Sequence, residues 1–322
     1  MVVMTSSFTH TSVLLDEAIH FLAIRPGGSY IDCTTGLGGH SQAIMEALGP
    51  SGGRLLCIDQ DGEALEFARA RLAPFGRRVS FAHGNFRELA FMAAAEGFSD
   101  VDGILMDLGI SSMQIQRAER GFAFGLEGPL DMRMDQQGAG PTAAEIVNSW
   151  DETSLADLFF RFGEERQSRR IAAAIVRARP LGTTWELARI VEQVVGGARG
   201  RTQIHPATKV FLALRIRVNS ELDSLDVALP LAHNLLGSGT DTARGGRLVV
   251  LSFHSLVDRI VKGFIRRDST ECVCPPGLPV CRCAHRASLR DLTRKAIKPG
   301  AGEIASNPRA RSAVLRAAER TA

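Results

Sequence analysis

A short apolar strand that runs into a glycine turn and then a helix leaves few folds open. Residues Tyr30-Ile31-Asp32-Cys33-Thr34-Thr35-Gly36-Leu37-Gly38-Gly39-His40 read that way. Glycine tolerates positive φ and has no side chain, so backbone can approach a ligand closely at such a turn. The pattern then repeats. Apolar runs at 29–33, 54–59, 79–83 and 101–108 alternate with helical spacing at 39–48, 62–72 and 86–96; in the second of these helices Ala64, Leu65, Ala68 and Leu72 share one face. Successive βα units of this kind build a mostly parallel sheet with helices on both faces. The expected class is therefore α/β and Rossmann-like.

Open parallel sheets present their chemistry at the carboxyl ends of the strands, and polar residues gather there in this chain. Asp59 follows Leu55-Leu56-Cys57-Ile58, twenty residues after Gly39; it either accepts the ribose hydroxyls of a nucleoside or caps the next helix. Phe86, in His83-Gly84-Asn85-Phe86, is placed either to line an adenine pocket or to join the core. Asp107 ends Leu105-Met106-Asp107 and is followed by Leu108-Gly109-Ile110-Ser111-Ser112, a setting with no evident structural task for an acid. His254 ends a later apolar run, 247–253, and is read as a cleft residue or as a satisfied structural histidine. A dinucleotide fingerprint would need glycine where Ser41 stands, which disfavours hydride transfer.

Past residue 108 the alternation stops. A glycine-containing polar stretch, 109–141, leads into helical patterns at 142–148, 154–162, 165–179 and 185–195, with Gly196, Gly197 and Gly200 as a hinge-like return. Sheet language resumes with a long helix over 207–236 interrupted at Pro230, the strand at 247–253, and last strands near 292–297 and 313–318. The expected organisation is a first sheet part over 1–112, an inserted all-helical domain over 113–204 and a second sheet part over 205–322.

The formal charge of +3 conceals two basic segments. Residues 161–179 carry +4 and residues 286–322 carry +6, leaving −7 on the remainder. Clustered cations on an acidic body suit a polyanion, because they release counterions from phosphates. The first 25 residues have no basic leader, and Asp16, Glu17 and His20 interrupt their apolar run; a cytoplasmic protein with no membrane span is expected. Six cysteines in that setting read as reduced thiols. Cys272, Cys274, Cys281 and Cys283 form two CxC pairs, but structural zinc sites usually leave two or more residues inside each pair, so no metal is expected.

Longer stretches carry a resemblance. His10-Thr11-Ser12-Val13-Leu14-Leu15-Asp16-Glu17-Ala18, Gly38-Gly39-His40, Asp107-Leu108-Gly109-Ile110-Ser111-Ser112, Glu119-Arg120-Gly121-Phe122 and Gly128-Pro129-Leu130-Asp131-Met132-Arg133-Met134-Asp135 are five of them. Phe162-Gly163-Glu164-Glu165-Arg166, His205-Pro206-Ala207-Thr208, Arg215-Ile216-Arg217-Val218-Asn219-Ser220-Glu221-Leu222, Ser252-Phe253-His254-Ser255-Leu256 and Asn307-Pro308-Arg309-Ala310-Arg311-Ser312 extend it over nearly the whole chain. Together they resemble the RNA small subunit methyltransferase H (MraW) family. Cys33 and Thr35 depart from it, standing where glycine and an aromatic residue are expected.

The resemblance implies a class I methyltransferase sheet interrupted by a helical domain, with S-adenosyl-L-methionine as cofactor. It implies methylation of N4 of a cytidine in the decoding region of small-subunit (16S) rRNA, with the rRNA met in an assembled or nearly assembled subunit. Carried over by position, the cofactor contacts are Gly38, Gly39, His40, Asp59, Phe86, Asp107 and Gln114. Asp107 and His254 are the candidate catalytic residues, with Asp107 or a backbone carbonyl beside it accepting from the amine and Ser111 and Ser112 holding the loop. Two other readings stay open: an RNA-binding ribosome assembly factor with a non-catalytic cofactor pocket, and a DNA amino-methyltransferase. The second is disfavoured because an acid or amide followed by two prolines is missing at Asp107.

Overall fold

The computed structural model describes residues 12–50, 52–196, 205–239, 244–275 and 280–321. In chain order the elements are α1 (Leu15–Leu22), β1 (Ser29–Asp32), α2 (Gly39–Leu48), β2 (Arg54–Asp59), α3 (Gly62–Leu72), β3 (Val79–His83), α4 (Leu89–Ala95) and β4 (Gly103–Leu108). There follow α5 (Ser112–Gln116), α6 (Ala143–Ser149), α7 (Glu152–Gly163), α8 (Ser168–Ala178), α9 (Thr184–Val195), α10 (Thr208–Val218) and α11 (Glu221–Leu235). The chain closes with β5 (Arg247–Ser252), α12 (Ser255–Asp268), β6 (Leu289–Asp291), α13 (Ala301–Ser306) and β7 (Val314–Arg320). Among the described residues no helix is long and apolar enough to cross a membrane.

The first unit comprises residues 1–109 and 223–322 and holds a seven-stranded sheet in the order β3-β2-β1-β4-β5-β7-β6. The first five strands are parallel; β7 runs antiparallel between β5 and β6. This is the mostly parallel, Rossmann-like α/β sheet that the strand and helix periodicity leads one to expect. Strands β1, β2, β4 and β5 are buried nearly throughout, which is why they read as unbroken apolar runs rather than alternations. The chain order reverses between β1 and β4, so the cleft outside their carboxyl ends is the topological switch point where such sheets bind ligands. The packing face of α3 is the expected one: Ala64, Leu65, Ala68 and Leu72 are its buried residues.

Several boundaries shift for local reasons. The strand expected over 292–297 is instead β6, three residues earlier, because the Asp291 carboxylate takes the Thr293 N–H at 2.8 Å and turns the chain. Only an isolated bridge, Ile297 to Leu315, survives of that stretch. The helix expected over 86–96 opens with a 3-10 turn, Phe86–Glu88, before α4 begins.

The second unit, residues 110–222, is helical and has its own core, in which Phe159, Ile171, Leu187, Phe211 and Leu214 are buried. It runs past the expected limit at residue 204, because α10 packs into it. The enabling residue is Gly163 at the end of α7: a Cβ there would stand 2.5 Å from the Lys209 carbonyl, so only glycine lets α10 approach this closely. The long helix expected over 207–236 breaks at Asn219-Ser220 rather than at Pro230, which lies inside α11. Ser220 takes φ +49°, and the Asn219 amide donates to the Met132 carbonyl at 2.8 Å and accepts from Met134 N–H at 2.7 Å. Arg215 and Glu221 then clasp across the break through two hydrogen bonds, at 2.7 and 2.8 Å. The expected return around Gly197 and Gly200 lies outside the described residues.

Candidate active site at the switch point

The turn after β1 is held from beneath by Asp32. Its buried carboxylate accepts from the Ser41 hydroxyl at 2.6 Å and from Thr34 N–H at 3.1 Å, tying the start of α2 to the end of β1. Ser41, the residue that spoils a dinucleotide fingerprint, is thus the partner of a buried acid. Asp32 was not among the sequence candidates; its signal was a charged residue ending an otherwise apolar strand. Thr34 was also missed. Its hydroxyl accepts the Asp107 N–H at 2.6 Å and joins the ends of β1 and β4 across the switch point.

Gly38 caps α2 at φ +80°, in left-handed backbone that glycine adopts without strain. Gly39 serves a different need. A Cβ on it would stand 2.1 Å from the Ser12 hydroxyl, so the residue is required by packing against the segment before α1. A Cβ on Gly36 would meet nothing within 4 Å, so the tip of the turn faces open space.

Asp59 does not cap the next helix. That task belongs to Asp61, whose carboxylate accepts from Glu63 and Ala64 N–H. Asp59 instead accepts Gly36 N–H at 2.7 Å through Oδ2 and Asp61 N–H at 2.8 Å through Oδ1, fastening the glycine turn to the end of β2. Burial pushes its carboxyl up to about 7 despite these two donors. Each oxygen retains a lone pair, enough for the two hydroxyls of a ribose. At the end of β3, Asn85 caps the turn that begins at Phe86 and donates to the Gln60 side chain at 2.8 Å, linking the segments that follow β2 and β3. Phe86 itself is half-buried.

His40 and Asp107 form the centre. His40 is buried, and its Nε2 lies 3.1 Å from the Val13 carbonyl. A carbonyl can only accept, so Nε2 carries the hydrogen and Nδ1 faces Asp107 Oδ2 at 3.4 Å. Burial lowers the imidazole below its ordinary value and pushes Asp107 up to about 7. One proton shared between Nδ1 and Oδ2 satisfies both groups. The other oxygen, Asp107 Oδ1, is buried and has no hydrogen-bond partner among the described residues. Leaving a buried acceptor unmatched is costly, and native proteins rarely do so without a ligand in view.

The remaining candidates lie apart in the chain. His254 occupies the N-cap position of α12, directly after β5, and makes no side-chain cap bond there. Gln114 belongs to the helical unit, where it completes a capping box with Ser111 on α5: Ser111 N–H donates to the Gln114 side chain at 2.9 Å and Gln114 N–H to the Ser111 hydroxyl at 3.2 Å. The two thiols in the sheet unit near the turn, Cys33 and Cys57, are buried and free; burial pushes Cys57 up to about 12 and Cys33 well above the ordinary range. Neither is available as a thiolate nucleophile.

The basic segments are partly spoken for. In the helical unit Arg179 donates to the carbonyls of Val147 and Trp150, whereas Arg161, Arg166, Arg169, Arg170 and Arg177 are exposed. Near the C-terminus Arg316 is paired with Asp258 and Arg290 with Glu319, while Arg294, Lys295, Lys298, Arg309 and Arg311 are exposed. Spacing argued against a metal at the paired cysteines, yet the fold gathers all four sulfurs within 4.8 Å of one another.

Comparison with known proteins adds a family. The MraW methylase family profile matches residues 7–321. The protein named Ribosomal RNA small subunit methyltransferase H in Thermomicrobium roseum is 54% identical over 319 residues, covering 98% of this chain and 95% of its own. Its namesake in Dehalococcoides mccartyi is 50% identical over 313 residues, covering 97% and 87%. That of Syntrophotalea carbinolica is 49% identical over 316 residues, covering 97% and 98%.

Proposed function

The chain belongs to the MraW methylase family, and on that premise we propose that it methylates N4 of a cytidine in the decoding region of small-subunit rRNA, using S-adenosylmethionine. The observation that carries the reading is the buried, unmatched Oδ1 of Asp107 at the switch point, beside a glycine turn held by Asp59. S-adenosylmethionine supplies an electrophilic methyl group on a cationic sulfonium. The residues of the chain do the rest by holding, orienting and moving a proton.

Asp59 accepts the ribose hydroxyls, the Gly36 to Gly39 backbone leaves room for the nucleoside, and Phe86 lies against the adenine. His40, fixed through Nε2 to the Val13 carbonyl, orients Asp107 so that Oδ1 faces the incoming amine. The exocyclic amine of cytosine is a poor nucleophile because its lone pair is delocalised into the ring. Asp107 Oδ1 accepts from its N–H and favours the localised form; as the N–C bond formed and the methyl–sulfur bond broke, Oδ1 would take the released proton while the shared proton passed from Oδ2 to His40 Nδ1. A carboxyl near 7 is matched to that transfer at neutral pH. His254 contacts the base from the end of β5. Amine transfer also agrees with the state of the thiols, since carbon-5 methylation needs a cysteine thiolate and burial holds Cys33 and Cys57 as thiols.

The target base must leave its stack to reach such a cleft, which is cheapest in looped or single-stranded RNA. The exposed arginines of α7 and α8, and separately the exposed C-terminal cations, are suited to RNA phosphates. Radiolabelled S-adenosylmethionine incubated with small subunits from cells lacking the gene, followed by nucleoside digestion, tests the whole reading. Label in N4-methylated cytidine supports it; label in 5-methylcytidine, or in no nucleoside while RNA still binds, overturns it.

A further inference from the structure

The segment joining α12 to β6 poses a folding problem. Among its described residues, 269–275 and 280–287, none is buried, and Val273 and Val280 are 45% and 68% exposed. Described residues that bury no apolar side chain have to be ordered by something else. Its stem is anchored: Ser288 N–H donates to the Asp268 carbonyl at 2.9 Å, and the His285 ring lies 2.9 Å from the Arg267 carbonyl. Beyond the stem, four cysteine sulfurs are the structural centre.

Their geometry is that of a metal tetrathiolate. Sulfur to sulfur, Cys272–Cys281 and Cys281–Cys283 are 3.5 Å apart, Cys272–Cys283 3.8 Å and Cys274–Cys281 4.0 Å. A tetrahedral zinc with Zn–S bonds of about 2.3 Å sets sulfurs about 3.8 Å apart. Disulfides put them about 2.0 Å apart, and all four cysteines are free. Backbone N–H groups are also aimed at the sulfurs: Cys274 N–H at Cys272 and Arg282 N–H at Cys274, each at 3.4 Å, and Val273 N–H at Cys283 at 3.5 Å. Peptide donors of this kind stabilise negative sulfur and orient it, as outer partners do around thiolate sites. The single residue inside each CxC pair is no obstacle, since Cys281 and Cys283 already approach to tetrahedral spacing.

We propose that Cys272, Cys274, Cys281 and Cys283 bind one zinc ion as a closed structural site that knots the loop between α12 and β6. With all four positions taken by protein, the metal has no open position for chemistry. The deprotonated sulfurs and the ion replace the missing apolar core, and the knot holds Arg282 in a fixed place on the surface.

The full chain, purified without chelator from zinc-supplemented cells, should carry about one equivalent of zinc, and Cys272→Ser with Cys281→Ser should lower that below about a tenth. Two further readings guard against a variant that fails to fold. Cobalt titrated into metal-stripped wild-type protein should give tetrahedral tetrathiolate absorption bands, and the four thiols should resist alkylation until a chelator is added. Zinc-free protein whose four thiols alkylate at once, or cobalt spectra of octahedral form, overturns the proposal. So does bound iron in place of zinc.

Discussion

Replacing Asp107 with asparagine should make the ligand-free protein more stable while slowing transfer, and the gain should depend on pH in one direction only. Burial pushes the folded carboxyl up to about 7, from an ordinary value of 3.8. In the window between those values the folded state keeps a proton that the unfolded state has lost. Stability therefore falls as pH rises through the window and levels off above its upper end. A shift of about three units at about 1.4 kcal/mol each sets a ceiling of about 4 kcal/mol. The side chain keeps 22% exposure, so water screens part of this, and about 2 kcal/mol is the expected cost of the charge. The substituted asparagine cannot ionise, and its amide can still donate to His40 Nδ1. Urea unfolding at about pH 4, 6 and 8 should show no advantage of the variant at the lowest pH and about 2 kcal/mol at the highest, with m unchanged. Asp59 titrates over the same window but is common to both proteins and cancels. Methyl transfer should drop by about a hundredfold or more. An Asp107→Asn protein with the same midpoint as wild type at pH 8, or with a gain equal at all pH values, would refute a folded carboxyl pushed up to about 7.

Other consequences can be measured in the same way. Asp59→Asn should weaken S-adenosylhomocysteine binding by about 10- to 100-fold in calorimetry, the worth of hydrogen bonds to a charged acceptor; unchanged affinity removes Asp59 from the pocket. Gly39→Ala should cost about 1–3 kcal/mol by forcing a methyl group onto the Ser12 hydroxyl, and Ser12→Ala in the same chain should restore most of it, because the Ser12 Cβ stands at an acceptable 3.5 Å. Failure of that rescue in thermal melts would mean that the strain lies elsewhere. Arg169→Gln with Arg170→Gln should weaken RNA binding and reduce the slope of log K against log salt by about 1.4, two contacts at about 0.7 each, with cofactor affinity unaltered. An unchanged slope places the RNA elsewhere.

Much of the sheet was legible because buried parallel strands need unbroken apolar runs and their helices need a 3.6-residue stripe. Those are local patterns, and β2, β3, α2 and α3 fall where the periodicity puts them. The glycine turn and the acids at strand ends were legible for the same reason: each sits where a local pattern stops. The breaks in the helical unit were not. The turn at Ser220 depends on Asn219 reaching Met132 and Met134, residues more than eighty positions away, and a proline rule applied to Pro230 pointed to the wrong place. The reach of the unit to residue 222 depends on a carbonyl meeting Gly163.

The sequence by itself determined the class of sheet, the glycine turn and the family, since these rest on residue types at short spacing and on long matching stretches. Only the tertiary structure decided what the polar residues do there. It made Asp61 the helix cap and Asp59 the clasp of the turn, set His40 against Asp107, and left Asp107 Oδ1 buried without a partner among the described residues. It also drew together two cysteine pairs whose spacing argued against a metal. The physical reason is common to all of these: hydrogen bonds, burial and ligand geometry are properties of atoms brought together from distant positions, and periodicity along a chain carries no record of which atoms will meet.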